Sequence, residues 1–231
     1  MIVTKQKPFE VVLKELEDAG SVFLVGCADC ATVCETGGEE QVKEMTEKLT
    51  AEGKEVTGSM IPETGCHELD VKKEFRAHKE ELEKADAVMV MSCGAGTQSA
   101  RSGTDKPVFP SNDTMFLGNV MRVGQFEEKC RLCGDCLLDI TGSICPVTSC
   151  HKGILNGPCG GTNDGKCEVD PEKDCAWTLI YQQLEKEGKL DKMREYQPPK
   201  NWNPLLKPGK IVLEREKGGE QNECRDGMER A

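Results

Sequence analysis

Cysteine is the residue type that sets the chemistry of this chain. Eight of its fourteen cysteines fall in one stretch: Cys130, Cys133, Cys136, Cys145, Cys150, Cys159, Cys167 and Cys175. Eight thiolates are what two cubane 4Fe–4S clusters need, at four per cluster. The C-x2-C-x2-C spacing of Cys130, Cys133 and Cys136 lets one tight loop aim three sulfurs at three corners of a cube. Cys145 precedes Pro146, the Cys-Pro ending of bacterial ferredoxin runs, here after a longer gap. Glycines between the cysteines, among them Gly134, Gly142 and Gly160, permit the positive dihedrals of loops that wrap a cofactor. Apolar residues are few, so metal is expected to stand in for a hydrophobic core. A zinc ribbon also uses C-x2-C knuckles, but it pairs two of them, and only the first run here is knuckle-like. Disulfides fit poorly, because the opening MIVTKQKPFE has no apolar signal segment and points to a reducing, cytoplasmic setting. Which cysteines share a cluster stays open, since ferredoxin-type ligand sets can interleave.

Five more cysteines, Cys27, Cys30, Cys34, Cys66 and Cys93, precede this stretch. Each follows a segment that reads as a buried strand. Ser21-Val22-Phe23-Leu24-Val25-Gly26 runs into Cys27, residues 55–61 lead to Cys66 and His67, and residues 87–92 end at Cys93. Helical patterns lie between, with Val42, Met45 and Leu49 on one face of 39–49 and a charged helix over 68–84. Before them, Phe9, Val12, Leu13 and Leu16 recur at helical spacing, and a fourth strand is expected at 106–110. Strand, helix, strand is the pattern of a parallel sheet with right-handed crossovers. The loops after its strands emerge on one edge, where open α/β sheets bind ligands, so all five cysteines are expected to meet there. Four would hold a third metal centre, iron–sulfur or zinc. Cys27, Cys30 and Cys34 plus Cys93 make the simplest set, Cys66 is the alternative fourth ligand, and Cys27 could be the buried spare.

Other motifs carry less. Gly94-Ala95-Gly96 lacks the full dinucleotide fingerprint and reads as a plain tight turn. His78 reads as solvated, while His67 and His151 each follow a cysteine and read as loop residues donating to sulfur or water. Trp177, Ile180, Tyr181 and Leu184 form one stripe of a helix that Gly188 stops, expected to cover the cluster module. A shorter helix is expected over 189–196. Cys224 lies alone in a charged tail and is not taken as a ligand. A net charge of −11 over 231 residues argues against nucleic acid and suits a basic patch on a protein partner. No apolar run reaches the ~18 residues of a membrane span. The fold expected is α/β. Residues 1–125 form an open parallel sheet with flanking helices, 126–203 a loop-dominated iron–sulfur module with a C-terminal helix, and 204–231 a mobile or partner-ordered tail.

The run CRLCGDCLLDITGSICPVTSCHKGILNGPCGGTNDGKCEVDPEKDCAWTLIYQQL resembles the C-terminal region of methylenetetrahydrofolate reductases. With VGCADCATVCETGGE in front, residues 1–203 resemble the small iron–sulfur subunit (MetV type) of these enzymes in acetogenic bacteria. The resemblance implies an electron-transfer subunit without a substrate site of its own. Its electrons would go to the flavin of a catalytic partner that reduces methylenetetrahydrofolate to methyltetrahydrofolate. It would draw them from a donor such as ferredoxin or an NADH-oxidising subunit. Clusters pass single electrons and the folate carbon takes a hydride equivalent, so a flavin must stand between them. The chain shows no flavin site, which places the flavin on the partner. The rival reading is a zinc-stabilised scaffold that docks the catalytic subunit and carries no electrons.

Overall fold

The computed structural model describes residues 1–205 and 207–213. At its centre lie two short apolar strands, β2 (Ser21–Val25) and β4 (Ala87–Val90), paired in parallel with Val22 opposite Ala87. Strands β3 (Glu55–Met60) and β5 (Val108–Pro110) flank them, giving a parallel sheet in the order β3-β2-β4-β5. Strand side chains alternate between faces, so each central strand feeds two cores. Val22, Leu24 and Met89 pack with Val12 and Leu16 beside α1 (Phe9–Glu15) and with Val42, Met45 and Leu49 of α3 (Glu39–Ala51). Phe23, Val25, Val88 and Val90 pack on the other face. Their neighbours are Val71 and Phe75 of α4 (Glu68–Ala77), Leu82 of α5 (Lys79–Lys84) and Ala100 of α6 (Gly94–Arg101). A sheet buried on both faces explains why these strands read as unbroken apolar runs.

A second sheet was not legible in the sequence. The antiparallel order β1-β6-β7 joins β1 (Ile2–Gln6), β6 (Asn112–Arg122) and β7 (Gln125–Cys130). Close approach at Gly118 needs glycine, because a Cβ there would stand 2.1 Å from the Glu127 carbonyl oxygen. The division expected at 125/126 falls inside the β6–β7 hairpin. This sheet is tied to the parallel one through the loop that follows the first cysteines. Thr36 there shares a 2.6 Å hydrogen bond with Thr4 of β1, and its carbonyl accepts from Asn112 Nδ2 at 3.2 Å. Gly37 fits because a Cβ would meet the Met91 carbonyl oxygen at 1.6 Å.

Beyond β7 regular structure is sparse. A single turn, α7 (Pro146–Ser149), and the helix α8 (Ala176–Lys186) frame the cysteine loops, followed by a 3-10 turn at Leu190–Arg194. Their core is small: Cys175, Trp177, Ile180 and Leu184, with Ile144, Ile154 and Met193 against it. Five expectations need correction. The charged helix over 68–84 is broken at His78, whose Nδ1 lies 2.6 Å from Glu81 Oε2 and whose ring packs 6.0 Å from that of Phe23. His78 is therefore a bridging side chain rather than a solvated one. Gly94–Gly96 is the first turn of α6, with one amide bound to Thr114 Oγ1 at 2.8 Å, rather than a plain tight turn. Tyr181 points outward to Glu185 instead of joining the buried stripe. The segment expected as a helix over 189–196 forms only the 3-10 turn. Most of the expected tail, with Cys224, lies outside the described residues.

Candidate metal centres

The three parallel strand ends deliver their cysteines to one edge. Cys27 follows β2 and is buried, 7% exposed. Cys30 opens and Cys34 follows the short helix α2 (Cys30–Val33). Cys66 lies exposed in the loop after β3, and Cys93 caps α6 after β4. Gly65 brings the β3 loop against the other two ends: a Cβ there would lie 3.3 Å from Cys27 Sγ and 3.8 Å from Ser92 Cβ. Its amide donates to Cys27 Sγ at 3.4 Å. The Ile2 amide of β1 donates to Cys30 Sγ at 3.4 Å, while the Cys34 thiol donates to the Ile2 carbonyl at 3.8 Å. Burial pushes the Cys66 thiol up from its ordinary range, and Cys93, Cys27 and Asp29 add to it. Cys30 is also raised, by burial first and then by Asp29 and Cys27 against the opposing Ile2 amide. Crowded acidic groups resist ionisation together, and a cation would relieve that repulsion.

The eight later cysteines fall into two groups in chain order. Strand β7 ends on Cys130, whose Sγ accepts the Leu132 amide at 3.3 Å. Positive φ at Leu132 (54°) and Gly134 (71°) coils the loop through Cys133 toward Cys136. The Cys133 thiol faces the Asp135 carbonyl at 3.6 Å. Thr148 of α7 lies 3.3 Å from Cys145 Sγ and 3.5 Å from the Lys129 carbonyl, which ties the fourth cysteine to the strand that delivers the first.

Cys150, Cys159, Cys167 and Cys175 line a single small concavity, with Trp177 and Thr162 in its wall. Trp177 is held by an indole N–H bond to the Ile154 carbonyl at 3.2 Å and by Gly157, where a Cβ would lie 2.5 Å from the ring. Cys175 caps α8. Burial alone would raise its thiol, but the hydroxyl and amide of Thr178, the Thr162 hydroxyl and the Trp177 amide outweigh it, and the thiol titrates below its ordinary range. A helix N-terminus and converging donors favour thiolate, the form that binds metal. Cys167 Sγ lies 3.7 Å from His151 Nδ1, and Cys159 Sγ lies 3.8 Å from Glu168 Oε1, which also pairs with Lys152. His67 is no part of either centre: its Nδ1 accepts the Asp70 amide and caps α4.

All thirteen cysteines of the described residues are free thiols. Among those residues no three His, Cys, Asp or Glu side chains converge on the point a single ion would occupy. Tetrahedral zinc would draw its sulfurs to about 3.8 Å of one another, given Zn–S bonds near 2.3 Å. The donor chemistry and the number of thiols fit a cubane in the Cys150, Cys159, Cys167 and Cys175 group. The Cys130, Cys133, Cys136 and Cys145 group fits one by its ligand types and its coiled loop. The roles of Thr148, Thr162 and Thr178 as partners of cysteine sulfur were not found from the sequence; only the position of Thr178 in the first turn after a capping cysteine hinted at one.

Among the described residues no helix is long and apolar enough to cross a membrane. No curated protein and no solved structure matches the chain. Residues 1–108, with strands β2, β3 and β4 and the five earlier cysteines, lie outside the family match. Residues 109–203, carrying the β6–β7 hairpin and all eight later cysteines, match the family model described as methylene-tetrahydrofolate reductase C terminal, so this part of the chain is similar to that family.

Proposed function

We propose that this chain is the electron-transfer iron–sulfur subunit of a methylenetetrahydrofolate reductase complex. The single observation that carries the reading is the lining of one concavity, walled by Trp177, by Cys150, Cys159, Cys167 and Cys175. It lies within the segment similar to the reductase family. Cys130, Cys133, Cys136 and Cys145 would hold the first cluster and these four the second. Bound clusters of this type pass single electrons at potentials set by hydrogen bonds to sulfur and by exposure to solvent. The chain's own residues supply both controls. Leu132, Thr148, Thr162 and Thr178 donate to cysteine sulfurs, while Trp177 and Ile180 keep water from one side of the second group.

The electrons would leave for a flavin on a separate catalytic subunit, which converts single-electron steps into the hydride equivalent that methylenetetrahydrofolate takes to become methyltetrahydrofolate. A ferredoxin or an NADH-oxidising subunit would supply them. The net charge of −11, made more negative by cluster thiolates, suits docking on basic surfaces of these proteins. The test is reconstitution. The chain should co-purify with a flavoprotein and support donor-dependent reduction of its flavin, and Cys133→Ser or Cys159→Ser should abolish that reduction while the two proteins still bind. Full flavin reduction with either variant would leave only a docking scaffold.

A further inference from the structure

The edge of the parallel sheet lies outside the family match, and its cysteines are not needed for the two clusters. Five thiols follow the strand ends there, one more than a tetrahedral or cubane site takes. The hydrogen bonds sort them. Cys27 Sγ and Cys30 Sγ each accept a backbone N–H, from Gly65 and Ile2 at 3.4 Å. An N–H donor stabilises a thiolate. Cys34 does the opposite: its thiol donates to the Ile2 carbonyl, whose oxygen would repel a thiolate. That carbonyl is fixed in a paired strand of another sheet, unlike the Asp135 carbonyl that Cys133 meets within its own loop. Cys66 and Cys93 come from the loops after β3 and β4. Gly65 packs the first loop directly on Cys27, and the Ser99 hydroxyl of α6 donates to the Cys66 carbonyl at 3.3 Å. Since Cys93 caps α6, that bond joins the two loops.

We infer that Cys27, Cys30, Cys66 and Cys93 form a third, four-thiolate metal centre at the carboxyl edge of the parallel sheet, and that Cys34 is not a ligand. Each ligand enters as a thiolate and releases its proton on binding. Cys34 keeps its proton and its bond to β1. The placement follows the general rule that open α/β sheets bind ligands outside their strand ends. It does not depend on the proposed electron relay.

The test compares metal and sulfide per chain in the anaerobically purified full-length protein and in Cys66→Ser, Cys93→Ser and Cys34→Ser. The first two should each lose one centre, about four irons with their sulfide. Cys34→Ser should lose none. Retention of the full metal by Cys66→Ser or Cys93→Ser, or an equal loss in Cys34→Ser, overturns the inference. A measurement on the unaltered chain guards against misfolded variants. Cys66 is exposed, so iodoacetamide should label it only after the metal is stripped, and equal labelling before and after overturns the inference as well. The two readings fail separately, because a C-terminal module without iron would leave metal loss at Cys66 and Cys93 still measurable.

Discussion

The two halves of this molecule gather thiols by opposite means. In the parallel sheet, hydrocarbon holds the frame: Phe23, Leu24, Val88 and Met89 are fully buried, and the cysteines hang from strand ends that exist without them. In the module after Cys130 the described core is little more than Trp177, Ile180 and Leu184, and Cys175 is itself part of it. A core so thin cannot offset the entropy of ordering long loops, and in the proposed reading cluster ligand bonds would do so. The contrast teaches that a site can be an accessory of a fold or its main support, and that cysteine count alone does not say which.

The sharpest way to break this comparison is to remove the metal. Anaerobic chelation should unfold the module after Cys130 and leave the parallel sheet folded. In a Trp202→Phe background the emission of Trp177, now 6% exposed, should shift to the red while most far-UV dichroism persists. A module that keeps its Trp177 emission without metal would erase the distinction. Next in size is Phe23→Ala, which empties the centre of the sheet and should cost about 3–5 kcal/mol in denaturant unfolding while the C-terminal iron content stays unchanged. Gly37→Ala should destabilise the first cysteine loop, since its Cβ meets the backbone of Met91. Loss of metal at the sheet edge, with the C-terminal clusters intact, is the expected readout. Smallest is His67→Ala, which removes the cap of α4 and should cost about 1 kcal/mol with no change in metal. Metal loss in that variant would make His67 a ligand and blur the separation drawn here.

The same contrast explains what the sequence revealed. The parallel strands were legible because both of their faces are buried, which leaves contiguous runs such as VFLV. Strand β1 was not, since IVTKQ alternates weakly and is held by pairing with residues 112–117, a partner no local pattern announces. The break at His78 was equally hidden, because the residues that meet its side chain there include Phe23, distant in sequence. The cysteines of both regions stood out by type. Their grouping did not: only the concavity joins Cys150 to Cys175, and only the direction of its hydrogen bond sets Cys34 apart from Cys30.

The most direct test of the central claim is iron and sulfide analysis, with electron paramagnetic resonance, on the module after Cys130 within the intact, anaerobically isolated chain. With the sheet-edge centre removed by Cys66→Ser, the account expects about eight irons and eight sulfides per chain and the signals of two interacting reduced cubanes after dithionite. A colourless protein holding zinc, or no metal, in that module would contradict it.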